Sequence, residues 1–253
     1  GDSHCLAFTT AADAIAADLG DGGRFVARML APGRFMDAMV TRDIEGTFSL
    51  NPILSLALYE DRNSIERRAE PEDKAERRVL LFLLGGAEAD RLTISRRYSD
   101  HAIAPKRASL RVLTEGKTFV TDGALRSLAV ARLAVLIKSL PALRALARYE
   151  FAFVEGPPPT PDEGYIVANQ LAYQRMASKA PPETLMPDRA FRLRLWEIMT
   201  EWLGCALAAE GVPYFRNPAA FTDGEGFLLQ QYWGDGVHAN ADYAQAFARD
   251  IAR

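Results

Sequence analysis

Val79-Leu80-Leu81-Phe82-Leu83-Leu84-Gly85-Gly86 is the stretch on which the fold turns. Six apolar residues follow a mixed-sign charged run over 61–78 and stop at two glycines. A strand with one wet face alternates apolar and polar residues. An unbroken run belongs to a strand covered on both faces, as in a parallel sheet. Glu150-Phe151-Ala152-Phe153-Val154 repeats the pattern and ends at Gly156 and three prolines. Val212-Pro213-Tyr214-Phe215 is a shorter third candidate.

Helical patterns lie between and around these strands. A long one over 124–149 follows Thr121 or Asp122 as cap, and Pro141 is expected to kink or split it. Others cover 187–210, closed by Gly211, and 241–252. Nearer the start, 11–19 closes at Gly20, 24–30 closes at Pro32-Gly33, and another helix begins at Asn51-Pro52. The charged run over 61–78 reads as a solvated helical face or exposed turn. Val112 to Val120 reads as a hairpin turning at Gly116. The alternation of strands and helices predicts an α/β protein with a mostly parallel sheet and helices on both faces. In such sheets ligands bind at the edge formed by the carboxyl ends of the strands.

The composition is that of a globular chain. Of 253 residues, 49% are apolar and 25% charged, enough to bury a core without a disulfide framework or structural metal. Thirty Lys and Arg against 33 Asp and Glu give a net charge of −3, which argues against nucleic acid as the main partner. No apolar run reaches the roughly 18 residues of a membrane span. The longest greasy stretch, over 128–146, carries Arg132, Lys138 and Arg144. Cys5 and Cys205 are the two cysteines, without CxxC spacing. That suggests a reduced, cytoplasmic protein and leaves a bond between the two open. The oligomeric state is not legible.

Few residues are equipped for acid–base chemistry near neutral pH. The histidines are His4, His101 and His238. No two have metal-site spacing, so neither a metal nor a cofactor is expected. His238 closes Asp235-Gly236-Val237-His238, in which an aspartate three residues ahead can hold one ring tautomer. Ser3, in Gly1-Asp2-Ser3-His4, precedes helix-forming residues and would sit where backbone N–H groups can stabilise an oxyanion. Cys5 reads as a small buried apolar group rather than a nucleophile. Trp196 and Trp202 read as core. Trp233 could stack on a sugar or acyl group. The arginines over 91–111 could meet an anionic substrate or simply coat an exposed loop.

The ordered pair, Gly-Asp-Ser at the start and Asp-x-x-His near the end, resembles the SGNH/GDSL hydrolase superfamily. Glu155-Gly156-Pro157-Pro158-Pro159 after its strand, Gly211 to Phe215, and Asp223 to Leu228 extend the resemblance over most of the chain. It implies one three-layer α/β/α sandwich, SGNH-hydrolase-like and flavodoxin-like, over 1–253, with an insertion at 91–121. It also implies Ser3 as nucleophile, His238 as general base and Asp235 as its orienting partner. Gly46 is the candidate oxyanion glycine, with Gly33 as rival.

Three departures qualify it. The family's Gly-x-Asn-Asp block corresponds here to Gly85-Gly86-Ala87-Glu88-Ala89-Asp90, which has no Asn. Gly86, Glu88 and Asp90 remain candidate substrate-side residues, and some Gly-Asp-Ser-His members share the Glu-x-Asp pattern. The strand that leads into Gly-Asp-Ser is not in the sequence, so residues upstream of Gly1 are expected to be missing. His4 replaces the commoner Leu, either structurally or as a partner of Glu88 or Asp90.

The resemblance implies a serine-dependent esterase or O-acyltransferase acting on an acylated carbohydrate or similar polar ester through an acyl-enzyme. The alternatives are a catalytically degenerate domain that binds a glycan or protein, and a transferase using Glu88 or Asp90 for acid–base work.

Overall fold

The computed structural model describes residues 5–20, 25, 40–42, 48–50, 79–82, 99–103, 116–146, 150–169 and 186–252. The helices expected over 24–30 and from Asn51, the run over 61–78 and the block over 85–90 lie outside them, as does most of 91–115. Among the described residues the central sheet has three parallel strands in the order β3 (Val79–Phe82), β6 (Glu150–Val154), β7 (Tyr214–Phe215). Leu80 pairs with Phe151 and Phe82 with Phe153, while Phe153 pairs with Tyr214 and Val154 with Phe215. The apolar runs at 79 and 150 are thus neighbouring parallel strands.

Alternate residues of β6 and β7 face different helix layers, because side chains along a strand point to opposite faces. Phe153, with Phe151 and Tyr214 beside it, packs into a cluster with α3 (Asp122–Leu146) and α5 (Arg189–Ala209). Val154 and Phe215 pack on the other side with α1 (Cys5–Thr10), α2 (Ala12–Asp18) and α6 (Ala241–Ile251). The result is a three-layer α/β/α sandwich.

Local chemistry sets the helix ends. The Thr121 hydroxyl accepts from the Ala124 N–H at 3.2 Å ahead of α3, and the Asp188 carboxylate accepts from the Phe191 N–H at 2.9 Å ahead of α5. Gly211, at φ 66°, turns the chain out of α5 toward β7. Asp18 of α2 binds Arg249 and Gln245 of α6, tying the two helices at the surface.

Two expectations bear on this layer. Pro141 does not split α3, which runs unbroken over Asp122–Leu146. A buried stripe through Leu125, Ala129, Leu133, Leu136 and Leu140 packs against the α5 cluster, and that burial outweighs the backbone bond that proline removes. Thr118–Val120 (β5) pairs in parallel with His101–Ile103 (β4), and the other arm of the expected hairpin, over 112–115, lies outside the described residues. Gly116 does make a turn, at φ 72°. The pairing follows burial: Ala102 and Ile103 are almost fully enclosed, and β4 lies on α5. A further antiparallel pair joins β1 (Val40–Arg42) to β2 (Phe48–Leu50). Among the described residues no helix is long and apolar enough to cross a membrane.

Phe153 is fully buried on the central strand. Phe153→Ala is expected to cost about 3–5 kcal/mol, read from urea unfolding.

Candidate active site

The carboxyl ends of β6 and β7 lead into a polar network and a tight loop. The network begins at Glu155, directly after β6. Its Oε2 accepts from the Asn217 backbone N–H at 2.8 Å and from Asn217 Nδ2 at 3.0 Å. Asn217 Nδ2 also donates to the Gly156 carbonyl, and Asn217 Oδ1 accepts from the Tyr243 hydroxyl at 2.5 Å. One asparagine therefore joins both strand exits to α6. Burial pushes the Glu155 carboxyl up, against the Asn217 hydrogen bonds and the Arg216 charge that pull it down. Burial and then the Glu155 charge push the Tyr243 phenol well above its ordinary value, so it stays a donor.

The loop occupies 233–239. Trp233 and Ala239 form an antiparallel bridge at its neck, and the Gly234 N–H donates to the His238 carbonyl at 2.9 Å. Asn240 accepts from the Tyr243 N–H as the cap of α6, and its Nδ2 donates to the carbonyls of Gln231 and Trp233.

Inside that neck, the two oxygens of Asp235 have different tasks. Oδ1 accepts from the Val237 N–H at 2.9 Å and the His238 N–H at 2.8 Å, which shapes the turn. Oδ2 lies 2.6 Å from His238 Nδ1. An ionised carboxylate only accepts, so Nδ1 carries the proton, which makes Nε2 the acceptor nitrogen whenever the ring is neutral. Burial alone would push the Asp235 carboxyl up. The His238 ring and the two backbone donors together outweigh it and hold the carboxyl below its usual range. His238 is only 4% exposed. This is the arrangement of a base held by a carboxylate.

Neighbouring elements close around the loop. A Cβ on Gly234 would lie 2.6 Å from the His238 carbonyl oxygen. One on Gly236 would lie 2.6 Å from the Ile166 carbonyl oxygen of α4 (Glu163–Asn169). Only glycine lets the backbone come that close. The Tyr165 hydroxyl donates to the Gly234 carbonyl at 2.5 Å, and the Gly236 N–H donates to the Asn169 carbonyl at 3.3 Å.

Of the sequence candidates, Asp235 and His238 meet, and Trp233 stands at the neck of their loop. The Trp233 indole N–H donates to the Leu228 carbonyl at 2.8 Å, and its ring lies 4.9 Å from that of Tyr165. Ser3, His4, Gly46, Gly86, Glu88 and Asp90 lie outside the described residues, as does Gly33. His101 sits elsewhere, on β4, with Nδ1 2.7 Å from Asp100 and its ring against Phe191. Cys205 is an exposed free thiol on α5. Among the described residues no group of three or more His, Cys, Asp or Glu could hold a metal ion.

Sequence reading missed Tyr165, Asn169 and Asn217. Tyr165 is 69 residues from its partner Gly234, and nothing local marks it. Asn217 carried one usable signal, a position just past a strand end on the ligand-binding edge.

No family model matches the chain, and no curated protein does. The solved structures similar to it include these two. One is a candidate arylesterase from Agrobacterium tumefaciens strain C58, at 14% identity and a TM-score of 0.40, over 96% of this chain and 83% of that one. The other is a candidate acylhydrolase from Bacteroides fragilis NCTC 9343, at 11% identity and a TM-score of 0.34, over 78% of this chain and 95% of that one. Likenesses this slight carry no argument about the chemistry of this chain.

Two outcomes follow from the geometry. Gly236→Ala, pressed against α4, is expected to lose about 1–3 kcal/mol in urea unfolding, while Gly224→Ala, with nothing within 4 Å, stays within about 0.5 kcal/mol. Because the Glu155 pKa is raised on folding, its contribution to stability is full at acid pH and is lost as pH rises through the folded value. Glu155→Gln removes that loss. Its melting temperature relative to wild type should therefore climb as pH rises from the ordinary glutamate range toward neutrality.

Proposed function

We propose that the chain is a serine-dependent ester hydrolase or acyltransferase whose base is His238. The reading is carried by the 2.6 Å contact between Asp235 and His238 Nδ1, in a loop at the carboxyl edge of a parallel sheet. The order of Gly1-Asp2-Ser3 and Asp235-x-x-His238 along the chain supports it.

In this reading the Ser3 oxygen attacks the acyl carbon and its proton passes to His238 Nε2. Asp235 stabilises the imidazolium while the tetrahedral oxyanion forms. The imidazolium then gives its proton to the departing alcohol, leaving an acyl-enzyme. Water, or an acceptor hydroxyl, resolves the intermediate with His238 as base again. Gly46, or its rival Gly33, would supply an oxyanion N–H, and Gly86, Glu88, Asp90 and His4 would line the substrate side. The proposed substrate is an acylated carbohydrate or similar polar ester. Glu88 where the family carries Asn favours a second reading, a domain that keeps the fold to bind a glycan or protein.

Intact-mass labelling with a fluorophosphonate distinguishes the two. The expected result is a single adduct on the wild-type chain and none on Ser3→Ala, with ester turnover falling by about three orders of magnitude or more. A folded wild-type chain that takes no adduct and turns over no ester would favour the binding reading.

A further inference from the structure

A buried arginine serves no step of the proposed reaction. Arg192 of α5 has a side chain 1% exposed, far from the surface where arginines ordinarily lie. Its Nη1 donates to the Thr160 carbonyl at 2.6 Å and its Nη2 to the Pro161 carbonyl at 3.1 Å. Glu163 Oε1, in the first turn of α4, lies 3.8 Å from Nη2. The guanidinium thus grips the last residues of the strand exit that leads into α4. Pro157, Pro158 and Pro159 stiffen that exit, and the Pro159 carbonyl accepts from the Leu228 N–H at 3.3 Å. Burial pulls the Arg192 pKa down to about 10, so the group remains a cation at neutral pH.

From α4 the contacts continue to the loop. Tyr165 bonds the Gly234 carbonyl and lies against Trp233, the Asn169 carbonyl receives the Gly236 N–H, and the Ile166 backbone fills the space beside Gly236. Gly234 and Gly236 flank Asp235. The two hydrogen bonds from α4 therefore bear on the peptide units that aim the carboxylate at His238.

We propose that Arg192 and α4 form a brace that positions the Asp235–His238 pair, with Tyr165 and Arg192 as positioning residues. The proposal rests on the reading of His238 as base, but its test need not. Asp235 alone can make the short turn, because its partners lie within three residues. A local turn in an exposed loop samples other rotamers, and a base is effective only when its geometry is held. Tyr165 and Arg192 act only through that held geometry.

The test uses ring-15N NMR of the full chain, with the His238 signals assigned by their loss in His238→Ala. The wild type is expected to show one fixed Nδ1–H tautomer. Tyr165→Phe keeps the ring beside Trp233 and removes the hydroxyl. It should show tautomer averaging at His238 while its melting temperature moves by only a few degrees. Arg192→Lys, which keeps the charge but not the paired grip on Thr160 and Pro161, should act in the same direction, and it decides the matter if Tyr165→Phe does not fold. In an ester assay kcat should fall on the order of tenfold with KM unchanged. A wild-type ring already averaged between tautomers, or variants with the wild-type tautomer, would overturn the brace. An altered tautomer in a chain without ester turnover would leave the brace standing and remove the hydrolase reading.

Discussion

The central strand has to bury two faces at once. Phe153 and Val154 are adjacent in sequence, yet one is enclosed by α3 and α5 and the other by α1, α2 and α6. Neither side chain can be exposed without stripping a helix layer from the sheet. The pairing of β6 with β3 and β7 then sends two strand exits to the same edge, at Glu155 and Arg216. The polar network and the loop are built outward from that edge, so their geometry depends on this double burial.

At the edge, apolar packing gives way to hydrogen bonds that each join separate elements. Asn217 spans β6, β7 and α6 through Glu155, the Gly156 carbonyl and Tyr243. Asn240 caps α6 and closes the loop neck with the same side chain. Asp235 shapes a turn with one oxygen and holds a histidine with the other. Each is a short polar side chain that reaches backbone groups from a fixed position. Such groups are costly to leave unpaired in a buried setting, which favours a single arrangement.

Much of the scaffold was legible because it rests on local patterns. The runs at 79 and 150, the capped start of α3, and the stop at Gly211 read correctly from a few neighbouring residues. The Asp235–His238 contact belongs with them, since its partners share one turn. Pro141 misled where the sequence allowed it to split α3. There a local preference was outweighed by burial against α5, which begins 48 residues further on. Trp233 was legible as an aromatic beside the loop, but its ring partner Tyr165 comes from a distant part of the chain.

By itself the sequence determined the two longer sheet strands, the main helices of the second half, the class of sheet and the aspartate that faces the histidine. Each is set by side-chain period, caps or glycines acting over a few residues, where chain connectivity already brings the partners together. Only the tertiary structure decided that α4 lies against Gly234 and Gly236, that Arg192 grips the strand exit, and that Asn217 joins Glu155 to Tyr243. Those contacts link residues 26 to 70 positions apart. They form only after the sheet has brought its strand ends to one edge, and no local pattern in the chain encodes that approach.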